Sequence, residues 1–389
     1  VSAWPLAKAV SKAGQLGVVS GTCLDVVMTR RLQLGDPGGH VRRALDHFPL
    51  RGVAKRILDR YFVPGGKDES APFRPNPVMT AEPSRLVQDL MVASNFAEVF
   101  LAREGHDNPV GINYLEKVQL PTLPSLFGAM LAGVGFVLMG AGIPRAIPGI
   151  IDDFAAGRSA ALRIDVKDAG RDEAYYTRFD PSAYCGDTAP QLERPQFLAI
   201  IASASLAKMM VKKASGRVDG FVVEGPTAGG HNAPPRGRMQ LGATNEPIYG
   251  ERDAPDLAAI AKLGLPFWLA GSYGRPERLT EALEQGATGV QIGTAFAYCE
   301  ESGLAPEIRA RVLAASRRDA VHVVTDARAS PTGFPFKVVQ LPETLSEETT
   351  YTERTRICDL GYLRSAYKLE NGRLGWRCPS EPVKDFVRK

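Results

Sequence analysis

The chain has 389 residues, of which 44% are hydrophobic and 23% are charged, and it carries a formal net charge of +4. These proportions are typical of a soluble globular protein. The net charge is small for this length and the basic residues are dispersed rather than clustered, so we expect no nucleic-acid partner.

The first predicted elements are a helix and a strand. Amphipathic spacing predicts a helix over residues 5–13, which also argues against a signal peptide. A short apolar strand over residues 18–19 then ends in Ser20, Gly21 and Thr22. Residues 35–80 have the character of an insertion: helical spacing over residues 41–62 predicts a helix, and the glycines, charges and prolines that follow predict a mobile loop.

Residues 126–143 are nearly free of charge, and about 18 apolar residues approach the length of a membrane span. Five glycines interrupt this stretch, at positions 128, 133, 135, 140 and 142. We therefore predict a buried helix over residues 126–132 and a strand over residues 136–139, and we expect no membrane partner.

Two later regions are polar or charged. Residues 167–195 are predicted to be irregular, and their aromatic side chains either cover a substrate entrance or pack on the protein wall: Tyr175, Tyr176, Phe179 and Tyr184. Residues 330–339 are predicted to form an extended arm, and residues 345–389 are charged and short of strand signals.

An apolar strand over residues 220–224 leads into Gly229, Gly230 and His231. Glycine has no Cβ, so a flat ligand ring could lie against this backbone, and an imidazole titrates near pH ~6.5, which suits proton exchange. By itself the pattern is equally consistent with a glycine turn and a surface histidine.

A second glycine-rich segment lies downstream. An apolar strand over residues 267–270 is followed by Gly271, a helix that begins near Pro276, a strand over residues 289–292, and a further helix opening at Gly293 and Thr294. Helix N-termini carry unpaired N–H groups that bind phosphate. In (β/α)8 barrels a phosphate site is usually built from the loops after strands seven and eight.

Together these segments resemble the flavin-dependent barrels that include nitronate monooxygenases and flavin-type enoyl-acyl-carrier-protein reductases. The resemblance covers roughly residues 4–300 and rests on four motifs, at residues 109–113, 224–231, 270–272 and 289–294. It implies an α/β fold, a (β/α)8 TIM barrel over residues 1–329 with insertions at about 35–80 and 167–195, and a C-terminal extension over 330–389. The family's first strand should precede Trp4, so we expect both ends of the sequence to be cut.

The resemblance also implies FMN as the cofactor and His231 as the catalytic residue. Gly271, Ser272, Gly293 and Thr294 would hold the phosphate. The cofactor-binding candidates are Ser20, Gly21, Thr22, Asn113, Glu224, Ala228, Gly229, Gly230, Ala270, Gly271, Ser272, Gly274, Gln291, Gly293 and Thr294. Arg236 and Arg238 could receive an anionic substrate group, or could simply face water in a solvated loop.

Two activities are compatible with this resemblance, and both use the same cofactor. A nitronate monooxygenase oxidises alkyl nitronates with O2 to a carbonyl compound and nitrite, and we favour it. A trans-acting enoyl reductase of polyketide or fatty-acid synthesis would use NAD(P)H as co-substrate and an acyl-carrier-protein thioester as substrate. A flavin-binding assembly subunit without turnover is a third alternative, and a homodimer is left open.

Other chemistries lack their motifs in this sequence. There is no G-x-S-x-G of a serine hydrolase, no P-loop, and no G-x-G-x-x-G after a strand. The five histidines show no metal-ligand spacing, and we expect no metal. The five cysteines, Cys23, Cys185, Cys299, Cys358 and Cys378, are scattered and are expected to be reduced thiols of a cytoplasmic protein.

Overall fold

The structure is a computed structural model, and it describes residues 2–186, 190–330, 332–358 and 360–388. The chain divides into two compact units. The N-terminal unit comprises residues 2–138, 146–196 and 357–389, and the central unit comprises residues 139–145 and 197–356.

Helices account for much of both units. In the N-terminal unit they are α1 (Trp4–Lys12), α2 (Leu24–Gln33), α3 (His40–Asp46), α4 (Arg51–Tyr61), α5 (Arg85–Arg103), α6 (Thr122–Leu131), α7 (Ile147–Ala155), α8 (Pro181–Cys185) and, near the C-terminus, α14 (Val383–Arg388). In the central unit they are α9 (Ala204–Lys213), α10 (Leu257–Ala261), α11 (Pro276–Glu284), α12 (Pro306–Ser316) and α13 (Glu348–Glu353).

Seven strands form one parallel sheet: β1 (Gly17–Ser20), β2 (Val110–Leu115), β3 (Phe136–Gly140), β7 (Gln196–Ile201), β8 (Gly220–Glu224), β9 (Phe267–Ala270) and β10 (Gly289–Gln291). The N-terminal unit contains the order β1-β2-β3, and the central unit contains the order β3-β7-β8-β9-β10, because β3 begins in the first unit and ends in the second. Helices alternate with these strands along the chain. The predicted α/β class is therefore confirmed, with seven parallel strands in the described sheet.

The remaining strands form small antiparallel or mixed sheets. They are β4 (Ala160–Ile164), β5 (Val166–Lys167), β6 (Tyr175–Phe179), β11 (Val323–Asp326), β12 (Phe336–Val339), β13 (Ser365–Lys368) and β14 (Leu374–Arg377). β4 pairs with β6 and β11 with β12, both antiparallel, whereas β13 pairs antiparallel with β14 and parallel with β5.

The apolar stretch near residue 130 is buried inside the N-terminal unit. It forms α6 and then β3, as predicted, and most of its residues are buried. A Cβ on Gly128 would lie 2.2 Å from the carbonyl oxygen of Val92 in α5, so the glycine lets these two helices approach closely. Within the described residues, no helix is both long and apolar enough to cross a membrane.

The insertion near residue 50 is helical, but it forms two helices where the sequence predicts a single one. α3 ends at Asp46 and α4 begins at Arg51. Pro49 lies between them and has no N–H to donate, and it also restricts the preceding residue, which interrupts a continuous helix.

The region after residue 167 is more regular than predicted. It forms β6 and α8, and Asp180 caps α8 by accepting hydrogen bonds from the N–H groups of Ser182 and Ala183. Phe179 and Tyr184 are buried, and Phe179 packs 5.0 Å from the ring of Phe127. These two aromatic residues therefore pack in the interior, the second of the two alternatives that the sequence leaves open.

The C-terminal region also contains strands that the sequence analysis missed. β13 and β14 form a hairpin whose turn includes Asn371 and Gly372, with Gly372 at φ +78°. Asn-Gly between two alternating runs is a strong hairpin signal. The prediction that residues 345–389 are short of strands is therefore wrong. The predicted arm at residues 330–339 forms β12, paired with β11 in the central unit.

Candidate active site

The candidate site of the central unit lies at the carboxyl ends of three adjacent parallel strands. Glu224, the last residue of β8, is paired in register with Ala270 of β9, and Ala270 is paired with Gln291 of β10. Ligands in parallel α/β folds bind at this end of the strands, because the loops that follow them carry the functional residues. The structure thus places three predicted cofactor-binding residues side by side.

The loops after these strands also meet. Gly271 has φ +107°, and a Cβ there would lie 2.8 Å from the backbone nitrogen of Ala228. A Cβ on Gly229 would lie 2.7 Å from Oγ1 of Thr294. Glycine is required at position 271 because the backbone of the neighbouring loop lies this close, whereas the close atom at Gly229 belongs to the side chain of Thr294. The structure therefore brings together the Gly-Gly-His segment and the two predicted phosphate-binding turns.

The ends of these turns present backbone donors. Ser272 has φ +61°, and the N-cap of α11, Arg275, makes no side-chain hydrogen bond to the first turn. Pro276 has no N–H, and the Arg278 N–H donates to the carbonyl of Arg275 at 3.1 Å, which leaves the Glu277 N–H of the first turn to an anion. The second turn differs from its prediction, because Gly293 and Thr294 lead into a 3-10 turn, Ala295–Tyr298, and the next α-helix begins only at Pro306.

His231 is half-buried and is held by residues about a hundred positions later in the chain. Its Nε2 lies 2.7 Å from Oγ of Ser330, and its ring stands edge-on to Phe336 with 4.9 Å between centroids. Burial lowers the pKa of the His231 imidazole below its usual value. The neutral form is thereby favoured, which suits a proton acceptor, and no hydrogen bond from the described residues reaches its Nδ1.

The backbone on both sides of His231 is fixed by the same arm. Lys337 N–H donates to the carbonyl of Gly230 at 2.9 Å, and Asn232 N–H donates to the carbonyl of Pro335 at 2.8 Å. The Asn232 side chain donates in turn to the carbonyl of Ala228 at 2.7 Å. Ser330 and Asn232 are not among the residues predicted for this site; Asn232 directly follows His231, whereas no local sequence pattern indicates Ser330.

Glu224 is the second titratable group of this region. Burial raises the pKa of its carboxyl group to about 7. The carboxyl is therefore a hydrogen-bond donor below neutral pH and a carboxylate above it.

We expect Glu224→Gln to flatten the pH dependence of stability in the cofactor-free protein. The folded-state pKa is raised above 4.5, so between pH 4.5 and about 7 the unfolded chain binds fewer protons and the free energy of unfolding falls as pH rises. This decline amounts to about 3 kcal/mol in the wild type. The Glu224→Gln variant lacks it because glutamine cannot ionise. Urea denaturation from pH 4.5 to 8.5 measures it, with exposed Glu300→Gln as the control. Parallel curves for wild type and Glu224→Gln would refute the expectation.

The N-terminal unit carries the other cofactor-binding candidates. Ser20 of β1 is paired in register with Asn113 of β2, and the Gly21 N–H donates to the carbonyl of Asn113 at 2.9 Å. A Cβ on Gly21 would lie 2.3 Å from the ring of Tyr114, so only glycine fits, and Thr22 follows directly. The Asn113 side-chain oxygen is buried and has no hydrogen-bond partner among the described residues. Such an atom calls for a bound ligand or water.

The predicted substrate arginines face solvent. Arg236 and Arg238 are both exposed, and the backbone N–H of Arg236 donates to the carboxylate of Asp253 at 2.7 Å. Two exposed arginine side chains are typical of a solvated loop. Among the described residues no cluster of His, Cys, Asp and Glu could hold a metal, and the five cysteines are not joined in disulfides; Cys378 is buried.

A parallel α/β fold with glycine-rich loops at its strand ends commonly binds a cofactor there, and the half-buried His231 lies in one of these loops. Residues 180–353 match the family described as nitronate monooxygenase, a family of flavin-dependent oxidoreductases. The match confirms the resemblance and includes three of the four motifs, at residues 224–231, 270–272 and 289–294.

The similarity of this chain to individual proteins is low. A carboxyl-CoA dehydrogenase of Rhodococcus jostii, (3aS,4S,5R,7aS)-5-hydroxy-7a-methyl-1-oxo-octahydro-1H-indene-4-carboxyl-CoA dehydrogenase, is 29% identical over 142 residues, which are 36% of this chain and 35% of that protein. The alignment thus spans about a third of that relative. FabK from Thermotoga maritima is 18% identical, with a TM-score of 0.44 and coverage of 90% of this chain and 71% of that one. Nitroalkane oxidase from Streptomyces ansochromogenes is 16% identical, with a TM-score of 0.43 and coverage of 87% and 74%.

Proposed function

We propose that the chain is an FMN-dependent nitronate monooxygenase, which oxidises an alkyl nitronate with O2 to a carbonyl compound and nitrite. The observation that carries the proposal is His231, a half-buried imidazole of lowered pKa that follows the two loop glycines at the carboxyl ends of β8, β9 and β10. The family match over residues 180–353 supports the same chemistry.

The residues present fit FMN. The loops after β8 and β9 meet at the strand ends, and the Glu277 N–H of α11 would hold the phosphate together with Ser272 and Thr294. When bound, FMN supplies the electron acceptor and donor of the reaction.

His231 performs the acid–base and binding steps. A nitronate is an anion, and an N–H group of the imidazole can hold its oxygens by hydrogen bonding. With a neutral nitroalkane, the free ring nitrogen can remove the proton from the carbon next to the nitro group. Ser330 holds the ring through Nε2, and in the tautomer in which Nε2–H donates to Oγ of Ser330, Nδ1 is the proton-accepting position.

Anaerobic mixing tests the reaction. The purified protein is mixed in parallel with propionate-3-nitronate and with NAD(P)H, and flavin absorbance is followed in a stopped-flow instrument. We expect bleaching by the nitronate and none by the nicotinamide. Bleaching by NAD(P)H alone would overturn the monooxygenase and assign an enoyl reductase, which would use an acyl-carrier-protein thioester. A colourless protein that cannot be reconstituted with FMN would remove both activities.

A further inference from the structure

The N-terminal unit contains a cleft that the proposed reaction does not use. It has a volume of about 580 Å³ and lies between β5 with its flanking residues and the β13–β14 hairpin. Sites for small molecules commonly have volumes of about 300–1,000 Å³. The C-terminal hairpin contributes one side of this cleft, because β13 pairs in parallel with β5, Ala366 opposite Val166.

The cleft is strongly cationic. Five basic side chains line it, and the two acidic ones are Asp165 and Glu173. Glu173 is already neutralised by Lys368 at 2.5 Å, and its second oxygen accepts the Gly170 N–H at 2.8 Å. The five basic side chains are Lys117, Arg163, Lys167, Arg171 and Arg364.

None of these five cations makes an ion pair within the described part of the chain, although Arg163 and Arg364 donate to backbone carbonyls. The remaining three, Lys117, Lys167 and Arg171, are exposed at the cleft rim. Several like charges that line one cleft are stabilised by an anion of more than one charge. The charge pattern therefore fits a ligand with several negative charges.

The floor of the cleft is apolar and aromatic. Leu120, Ile164 and Ala366 are buried beneath it, and Trp376 and Tyr175 are half-buried in its wall. The Arg364 guanidinium lies 5.5 Å from the centroid of the Trp376 ring. A flat ring can stack on such an aromatic side chain while its charged substituent reaches the rim.

We propose that this cleft binds a nucleotide with two or more phosphates, the phosphates on Lys117, Lys167 and Arg171 and the base against Trp376. The concave shape and the volume of the cleft favour a small molecule over the surface of an acidic protein. This site belongs to the N-terminal unit alone and is independent of the proposed reaction.

Isothermal titration calorimetry of the full chain with ADP tests the proposal. We expect ADP to bind at least tenfold more tightly than adenosine and at least tenfold more tightly than pyrophosphate, because both the rim and the aromatic wall take part. The double variant Lys167→Gln/Arg171→Gln should weaken ADP binding at least tenfold. Lys12→Gln, an exposed lysine of α1 outside the cleft, should change it less than twofold.

Trp376→Leu separates the aromatic contribution from the charges. We expect it to weaken ADP binding at least fivefold without changing pyrophosphate binding, and Trp376→Phe to restore most of the ADP affinity, with thermal melting as the check of folding. Absence of ADP binding at millimolar concentration, equal binding of pyrophosphate and ADP, or an equal effect of Lys12→Gln and the double variant would each overturn the proposal.

Discussion

Replacing His231 by asparagine is expected to lower turnover at least tenfold, and by up to about 10⁴-fold, while FMN stays bound. Asparagine cannot accept a proton at neutral pH, and general acid–base catalysis contributes about 10²–10⁴ in rate. If His231 removes the proton, the wild-type enzyme loses activity when the ring becomes protonated. Because the pKa of His231 is lowered, this loss occurs at a pH below the usual titration range of histidine. Steady-state rates with neutral nitroalkane between pH 5 and 8 measure both effects.

The control is His47→Asn, which alters an exposed histidine that lies between α3 and α4 and outside the candidate site. It should leave turnover and bound flavin unchanged. If His231→Asn also keeps the wild-type rate, then His231 is a structural residue of the loop, and the proposed chemistry loses its proton acceptor.

Replacing Gly271 by alanine is expected to abolish stable FMN binding and to lower the free energy of unfolding by about 3 kcal/mol or more. The position has φ +107°, which alanine adopts only with strain, and the added Cβ would lie 2.8 Å from the backbone of Ala228. The loop after β9 must then move away from the loop after β8. Flavin absorbance per chain and urea denaturation measure the two effects.

Gly274→Ala is the matched control in the same loop. Its nearest neighbour would be 3.8 Å away, and its φ is not positive, so alanine fits. We expect flavin content and stability near those of wild type. Equal losses in both variants would show that the effect arises from rigidity of the loop in general and not from the contact at Gly271.

The strands that carry the candidate site could be predicted from the sequence almost to the residue. β9 was predicted over residues 267–270 and is Phe267–Ala270, and β8 was predicted over residues 220–224 and is Gly220–Glu224. Strands buried on both faces are continuous apolar runs, and the glycines that end them mark the loops. These signals are local, so one sequence suffices to locate them.

The contacts of His231 with the arm could not be predicted in this way. Ser330 lies 99 residues away, and a hydroxyl that meets an imidazole leaves no periodic pattern in either segment. The β4–β6 pair was missed for a related reason, since polar residues on its exposed face hide the alternation of β6, where Thr177 and Phe179 are buried. Tertiary packing decided these elements, and local propensity did not.

The arm also determines when the histidine can take up its position as the protein is made. The glycine loop leaves the ribosome about a hundred residues before Ser330, Pro335 and Lys337 exist to hold it. A nascent or shortened chain that stops at residue 329, the predicted end of the barrel, contains Gly229, Gly230 and His231. It lacks Ser330, Pro335 and Lys337, which hold them. The fixed orientation of the imidazole is therefore acquired late in synthesis, and an expression fragment must extend at least through β12 to include it.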